Sequence, residues 1–133
     1  MNEPTALDVV TELSRRFQAG DGPGALQLFH PDLCIEQPAS LPHGGLHHGP
    51  GGMAAMGTVF ARFWQRTVVN PRISGCGDVV VQVTTQTWTA RDTGRAATVD
   101  VVELFSVTAG LISRIRVFQQ DTHALLETLN RDQ

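Results

Sequence analysis

The sequence predicts an α+β fold with helices concentrated toward the N-terminus, strands toward the C-terminus, and one short helix at the end. Three observations carry this expectation. Apolar residues recur with helical period in the first segment. Two β-rich runs, "VVVQVTTQTWTA" and "ATVDVVELFSV", flank a turn-forming "RDTGR". Finally, "DTHALLETLN" follows the last strand and opens with an aspartate suited to start a helix.

Taken in order, the first helix starts where Thr5 and Asp8 form a capping-box pattern, and Ala6, Val9, Val10, Leu13 and Phe17 make its apolar stripe. Glu12 and Arg16 pair one turn apart on its outer side, and Gly20 suits its stop. A short second helix over 24–29 must end before Pro31, because proline disfavours helical backbone at His30. In "DLCIEQP", Leu33, Ile35 and Gln37 share one strand face, and Cys34 and Glu36 share the other. Gln37 thus continues an apolar face.

"PHGGLHHGPGG" then packs three histidines, five glycines and two prolines into residues 42–52. A third helix follows over 51–66, with Pro50 in its first turn and Met53, Met56, Phe60, Phe63 and Trp64 as its stripe. Strands are expected over 79–90, 97–107 and 111–119, and the last helix has Asp121 as its N-cap. In the first of these strands Val79, Val81, Val83, Thr85, Thr87 and Thr89 are all β-branched. The alternate residues Val80, Gln82, Thr84, Gln86 and Trp88 mix amides, a hydroxyl and an indole. That mixture suits a sheet covered on both sides with one side lining a partly polar cavity; an edge facing water is the alternative.

The 133 residues suit one domain spanning 1–133. Apolar residues make up 41% and charged residues 17%, a globular composition. Ten basic and thirteen acidic residues give a net charge of −3, so a basic footprint for nucleic acid or an anionic membrane is missing. "MNEPTALDVV" lacks the basic and apolar regions of a signal peptide, and Cys34 and Cys76 form no disulfide framework. A cytoplasmic protein with reduced cysteines is expected. The apolar outer row Val79, Val81, Val83 and Thr85 points to a homodimer contact.

"FQAGDGPGALQLFHPDLCIEQP", "HHGPGGMAAMGTVFARFW" and "AGLISRIRVFQQDTHALLETL" together resemble the nuclear transport factor 2-like superfamily over nearly the whole chain. That superfamily includes ketosteroid isomerases, SnoaL-like polyketide cyclases and limonene epoxide hydrolases. The resemblance implies a cone-shaped, barrel-like fold, with a curved antiparallel sheet around three N-terminal helices. It also makes 42–52 the loop that leads into the helix closing the cone's mouth. Because the fold hosts many chemistries, function rests on the site.

By that resemblance the isomerase base falls on Gln37, its tyrosine on Leu13, and its protonated carboxyl near Val102, all unable to do that chemistry. The arginine and aspartate of the epoxide hydrolases fall on Thr84 and Gln86. Their second aspartate, and the acid/base aspartate of the SnoaL-like cyclases, fall on Asp121. Asp121 is therefore the leading catalytic candidate. Asp100 is the second, expected on the inner face with Val102 and Leu104, opposite Trp88. Glu36, Glu103, Arg114 and Arg116 are expected outside. Gln37, Gln86, Trp88, Phe60, Phe63 and His48 are the expected substrate contacts, with His43 the most dispensable histidine. Adjacent His47 and His48 diverge and have no local carboxylate, so no metal is expected, and no organic cofactor either. The expectation is a small enzyme acting by acid/base chemistry on a largely apolar, polyketide-like metabolite. A non-catalytic ligand-binding or dimerisation module is the rival.

Overall fold

The computed structural model describes residues 4–131. The capping box at Thr5 and Asp8 is formed, and α1 runs Ala6–Gln18, with Gly20 beyond its end at φ 75°. Phe17, expected in the apolar stripe, is instead exposed. α2 is Gly22–Leu26, earlier than expected, because the Asp21 side chain accepts from the Gly24 N–H and Pro23 fits the first turn. Then come β1 (Phe29–Gln37), β2 (Gly45–His48), α3 (Gly49–Phe63) and β3 (Trp64–Cys76). The chain closes with β4 (Val79–Ala90), β5 (Ala96–Thr108), β6 (Leu111–Gln119) and α4 (Thr122–Glu127).

The six strands form one curved open sheet in the order β2-β1-β6-β5-β4-β3, antiparallel throughout except for the parallel pair β1–β6. α1 lies across β3 to β6, and α3 lies on β1, β2 and β3. Their buried faces meet the sheet in one core that includes Val10, Leu13, Leu33, Ile35, Trp64, Trp88, Phe105, Ile112 and Leu125. This is the mixed architecture expected, with helices on one concave face. Among the described residues no helix is long and apolar enough to cross a membrane.

Two strands were not legible in the sequence. β2 lies inside the glycine-rich stretch and pairs with β1, Ile35 opposite His47 and Cys34 opposite His48. β3 begins at Trp64, which the helical pattern had absorbed. It is an edge strand that carries Pro71 beside a register shift and Asn70 at φ 57°. Proline is tolerated there because an edge strand need not donate on both sides.

The β4–β5 register also differs from expectation, and this matters most for the site. Ala90 N–H donates to the Arg95 carbonyl, leaving a four-residue loop with Gly94 at φ 74°. Asp100 therefore sits opposite Thr85, and Trp88 opposite Ala97. The expected pairing, Asp100 opposite Trp88, is displaced from this one by three residues. An odd shift exchanges the two faces of the whole strand.

Candidate functional site

The concave face is built from alternate residues of five strands. β4 contributes Val80, Gln82, Thr84, Gln86, Trp88 and Ala90, and the expected inner row is correct. β5 contributes Val99, Val101, Glu103 and Phe105; β6 contributes Ile115, Val117 and Gln119. Leu33, Ile35 and Gln37 come from β1, and Trp64 and Arg66 from β3. Reading across the sheet, Gln37, Val117, Glu103 and Gln82 lie in one row. Strands are about 4.8 Å apart, and within this row the Gln82 and Glu103 side chains meet.

Glu103 is the carboxylate this face presents. It was expected outside, and the register places it inside, where the Gln82 amide lies 3.5 Å from its carboxylate. Burial pushes its carboxyl above the ordinary carboxylate range, and attraction to Arg66 partly opposes this. Asp100 takes the outer position instead. It accepts from the Thr85 hydroxyl at 2.8 Å, has Arg72 at 3.7 Å, and its main-chain N–H donates to Gln120. The inward carboxylate that the sequence suggested thus exists, three residues further on. The length of the loop closed by Ala90 and Arg95, with glycine in its last position, was the signal that could have found it.

The histidine-rich stretch is ordered by turns and by pairing with β1. Gly44 N–H donates to Leu41 and Leu41 N–H to Pro38, a double turn that buries Leu41 and His43. A Cβ on Gly44 would lie 2.3 Å from the Pro38 carbonyl oxygen, so only glycine fits this fold of the loop. His43, expected to be the most dispensable, is 4% exposed. Its ring packs against Phe60, Trp64 and Trp88, with centroids at 5.3, 6.1 and 5.7 Å. Burial, followed by repulsion from Arg66 and His47, pushes its imidazole down to about 4. It is therefore neutral at physiological pH, and its Nδ1 has no partner. His47 shares the side of Ile35 and bonds through Nε2 to the His43 carbonyl at 2.8 Å. His48, the expected substrate contact, is exposed on the side of Cys34. Neighbouring residues on a strand point opposite ways, so only one of the pair can face inward.

The remaining candidates divide. Phe60 meets Trp88 edge-on at 4.8 Å, and Phe63 lies 5.8 Å from Trp64, so these rings pack together, with Trp64 and Trp88 fully buried in the core. Both ends of the Gln86 amide are engaged within its own strand. Its oxygen accepts from the Trp88 indole at 2.9 Å and its nitrogen donates to Thr84 at 3.0 Å. It fixes Trp88 and has little left to offer a ligand. Gln37 keeps more: its nitrogen lies 3.4 Å from the Met56 sulfur, and its buried oxygen is unpaired, as is that of Gln119. Orphaned buried acceptors carry a desolvation cost unless water or a ligand meets them. Asp121 caps α4 by accepting from the Ala124 N–H at 3.0 Å, and it is exposed.

Arg66 completes the face. Its guanidinium lies 4.8 Å over the Phe60 ring. Much of its surface stays open, yet protein crowds it on several sides, and burial lowers its basicity against the attraction of Glu103. Outside, Glu36 pairs with Arg116 at 3.2 Å and Arg114 at 3.5 Å, the positions expected for all three. Among the described residues, no three His, Cys, Asp or Glu side chains gather in a metal-binding arrangement, and both cysteines are free.

The family model described as SnoaL-like domain matches residues 10–115. Solved structures with the same fold include an NTF2-like protein from Burkholderia xenovorans, with 24% identity, TM-score 0.80, and coverage of 98% of this chain and 99% of that one. TerC co-crystallized with polyporic acid gives 24% identity and TM-score 0.80 over 92% of this chain and 96% of that one. A Pseudomonas putida protein provisionally called a polyketide cyclase gives 18% identity and TM-score 0.74, covering 95% and 98%. No curated protein matches the chain.

Proposed function

The chain belongs to the SnoaL-like domain family, and from that premise we propose that it is a single-domain, cofactor-independent acid/base enzyme for small molecules. Its substrate would be a largely apolar, polyketide-like metabolite, and its reaction a cyclisation, an isomerisation or a hydration. The observation that carries this reading is the inward-facing Glu103, which lies 3.5 Å from the Gln82 amide and whose carboxyl burial pushes up, on a face that also carries the unpaired amide oxygens of Gln37 and Gln119. A carboxyl whose affinity for its proton is raised by burial can donate to a carbonyl or leaving oxygen, and its conjugate base can take the proton back. Phe60, backed by the buried rings of Trp64 and Trp88, would supply an apolar contact for the substrate, and Gln37 would orient a hydroxyl or a water.

Asp121 stays in the proposal as the competing proton carrier, because the resemblance assigns that role to it. Glu103→Gln and Asp121→Asn separate the two. With a substrate in hand, loss of the acid/base group should lower turnover by roughly 10²–10⁴-fold in Glu103→Gln, while Asp121→Asn, still an N-cap, stays near wild type. The reverse pattern would return the role to Asp121. If neither variant lost turnover, the site would not run acid/base chemistry through a carboxyl.

A second reading, a non-catalytic binding module of the same fold, is favoured by Gln37 and Leu13 standing where the isomerases carry their base and tyrosine. A tightly held co-purified ligand with no turnover would support it. In either case a homodimer is proposed through the outer sheet face, where Val79, Val81 and Val83 are only half-buried within one chain.

A further inference from the structure

Among the described residues most arginines lie in contact with a carboxylate, whereas Arg66, on the concave side, feels Glu103 only at a distance. Arg15, Arg16, Arg72, Arg114, Arg116 and Arg131 each lie beside a carboxylate. Arg91 and Arg95 donate to the main-chain carbonyls of Ala61 and Asn130. Arg62 lies in the last turn of α3, where the helix's free carbonyls favour a cation. Among the described residues, Arg66 makes neither an ion pair nor a side-chain hydrogen bond. Its guanidinium is held over Phe60 at 4.8 Å, an arrangement that fixes the group while leaving its N–H edges free.

The space in front of it is a groove of about 530 Å³ at the open edge of the sheet, lined by Phe60, Trp64, Arg66, Thr67, Thr89 and Arg91. Its exposed lining thus combines two cations, two hydroxyls and the Phe60 ring, with Trp64 buried beneath and no carboxylate. A guanidinium with free edges matches a carboxylate in a two-point hydrogen-bonded fork, and such charge-assisted pairs are about twice as strong as neutral ones. The Phe60 ring favours a flat ligand body.

We infer that this groove binds a planar aromatic carboxylate, with Arg66 as its counter-charge and Phe60 as its apolar wall. The inference deepens the small-molecule reading above, on which it rests, by giving the ligand a charge. Glu103 lies outside the lining of this groove.

The probes are trans-cinnamate and its neutral near-isostere trans-cinnamamide, each titrated into the whole chain and followed by the indole N–H signals of Trp64 and Trp88. These are the only two tryptophans. Cinnamate should shift the indole signals saturably and bind at least about tenfold more tightly than the amide. Arg66→Gln should erase that ratio while leaving amide binding in place, and Arg62→Gln should preserve it. Arg66→Lys keeps the charge without the fork and should give an intermediate ratio; it also serves if Arg66→Gln does not fold. Equal affinities in the wild type, or a ratio that survives Arg66→Gln, would overturn the charge assignment and leave the small-molecule site standing. No saturable shift from either probe would overturn both.

Discussion

Replacing His43 by phenylalanine isolates a pH dependence that the aromatic wall imposes on folding. The His43 ring is 4% exposed among Phe60, Trp64 and Trp88, and it is held down to about 4. The unfolded chain returns it to about 6.5. Protons therefore bind the unfolded chain first. The contribution of this residue is full above about pH 6.5 and is lost as pH falls toward the folded value. From about pH 7.5 to about pH 5, linkage between those two values removes about 2 kcal/mol. Phenylalanine keeps the ring's volume and removes both the titration and the unpaired Nδ1. Urea unfolding of wild type and His43→Phe, followed by tryptophan emission, should thus differ by about 2 kcal/mol more at the higher pH than at the lower. The other four histidines occur in both proteins and cancel. A wild-type-minus-variant difference that stays constant over this range would refute the buried, neutral assignment of His43.

Glu103 has the opposite sign. Its carboxyl is raised in the folded state, so wild-type stability should fall as pH climbs out of the ordinary carboxylate range, and Glu103→Gln should flatten that fall and melt higher at neutral pH. A lower melting point for the variant at neutral pH would contradict the burial argument. Gly44→Ala places a methyl against main-chain atoms of Pro38 and Ala39 that cannot move cheaply, and should cost about 2 kcal/mol or more. Gly51→Ala, with nothing within 4 Å of the new Cβ, is the neutral control by thermal melting. Sedimentation should find a dimer at micromolar concentration that Val81→Lys converts to monomer; a monomeric wild type would remove the interface. A β,γ-unsaturated ketosteroid should isomerise no faster than background, because the amide of Gln37 cannot abstract a proton from carbon.

Local signals were legible wherever the physics is local. The capping box at Thr5, the Asp121 cap, the inner row Leu33, Ile35 and Gln37, the inner row of β4 and the bounds of β6 all follow from neighbours in the chain. Capping needs residues three apart, and strand faces need only alternation. The class of fold followed too, since segregated helices and strands leave few ways to cover a sheet. What the sequence alone left open was decided by pairing and burial. Which carboxylate enters the site, Asp100 or Glu103, depends on whether the β4–β5 pairing centres on one turn or another, and an odd displacement exchanges inside for outside. β2 and β3 exist because β1 and β4 offer unpaired edges to a glycine-rich stretch and to a strand carrying proline, neither of which favours a strand on its own. His43 reads in the sequence as one of three loop histidines. Only the turn held by Gly44 drives it among the aromatic rings, where loss of water, a property of the packed chain, fixes its charge.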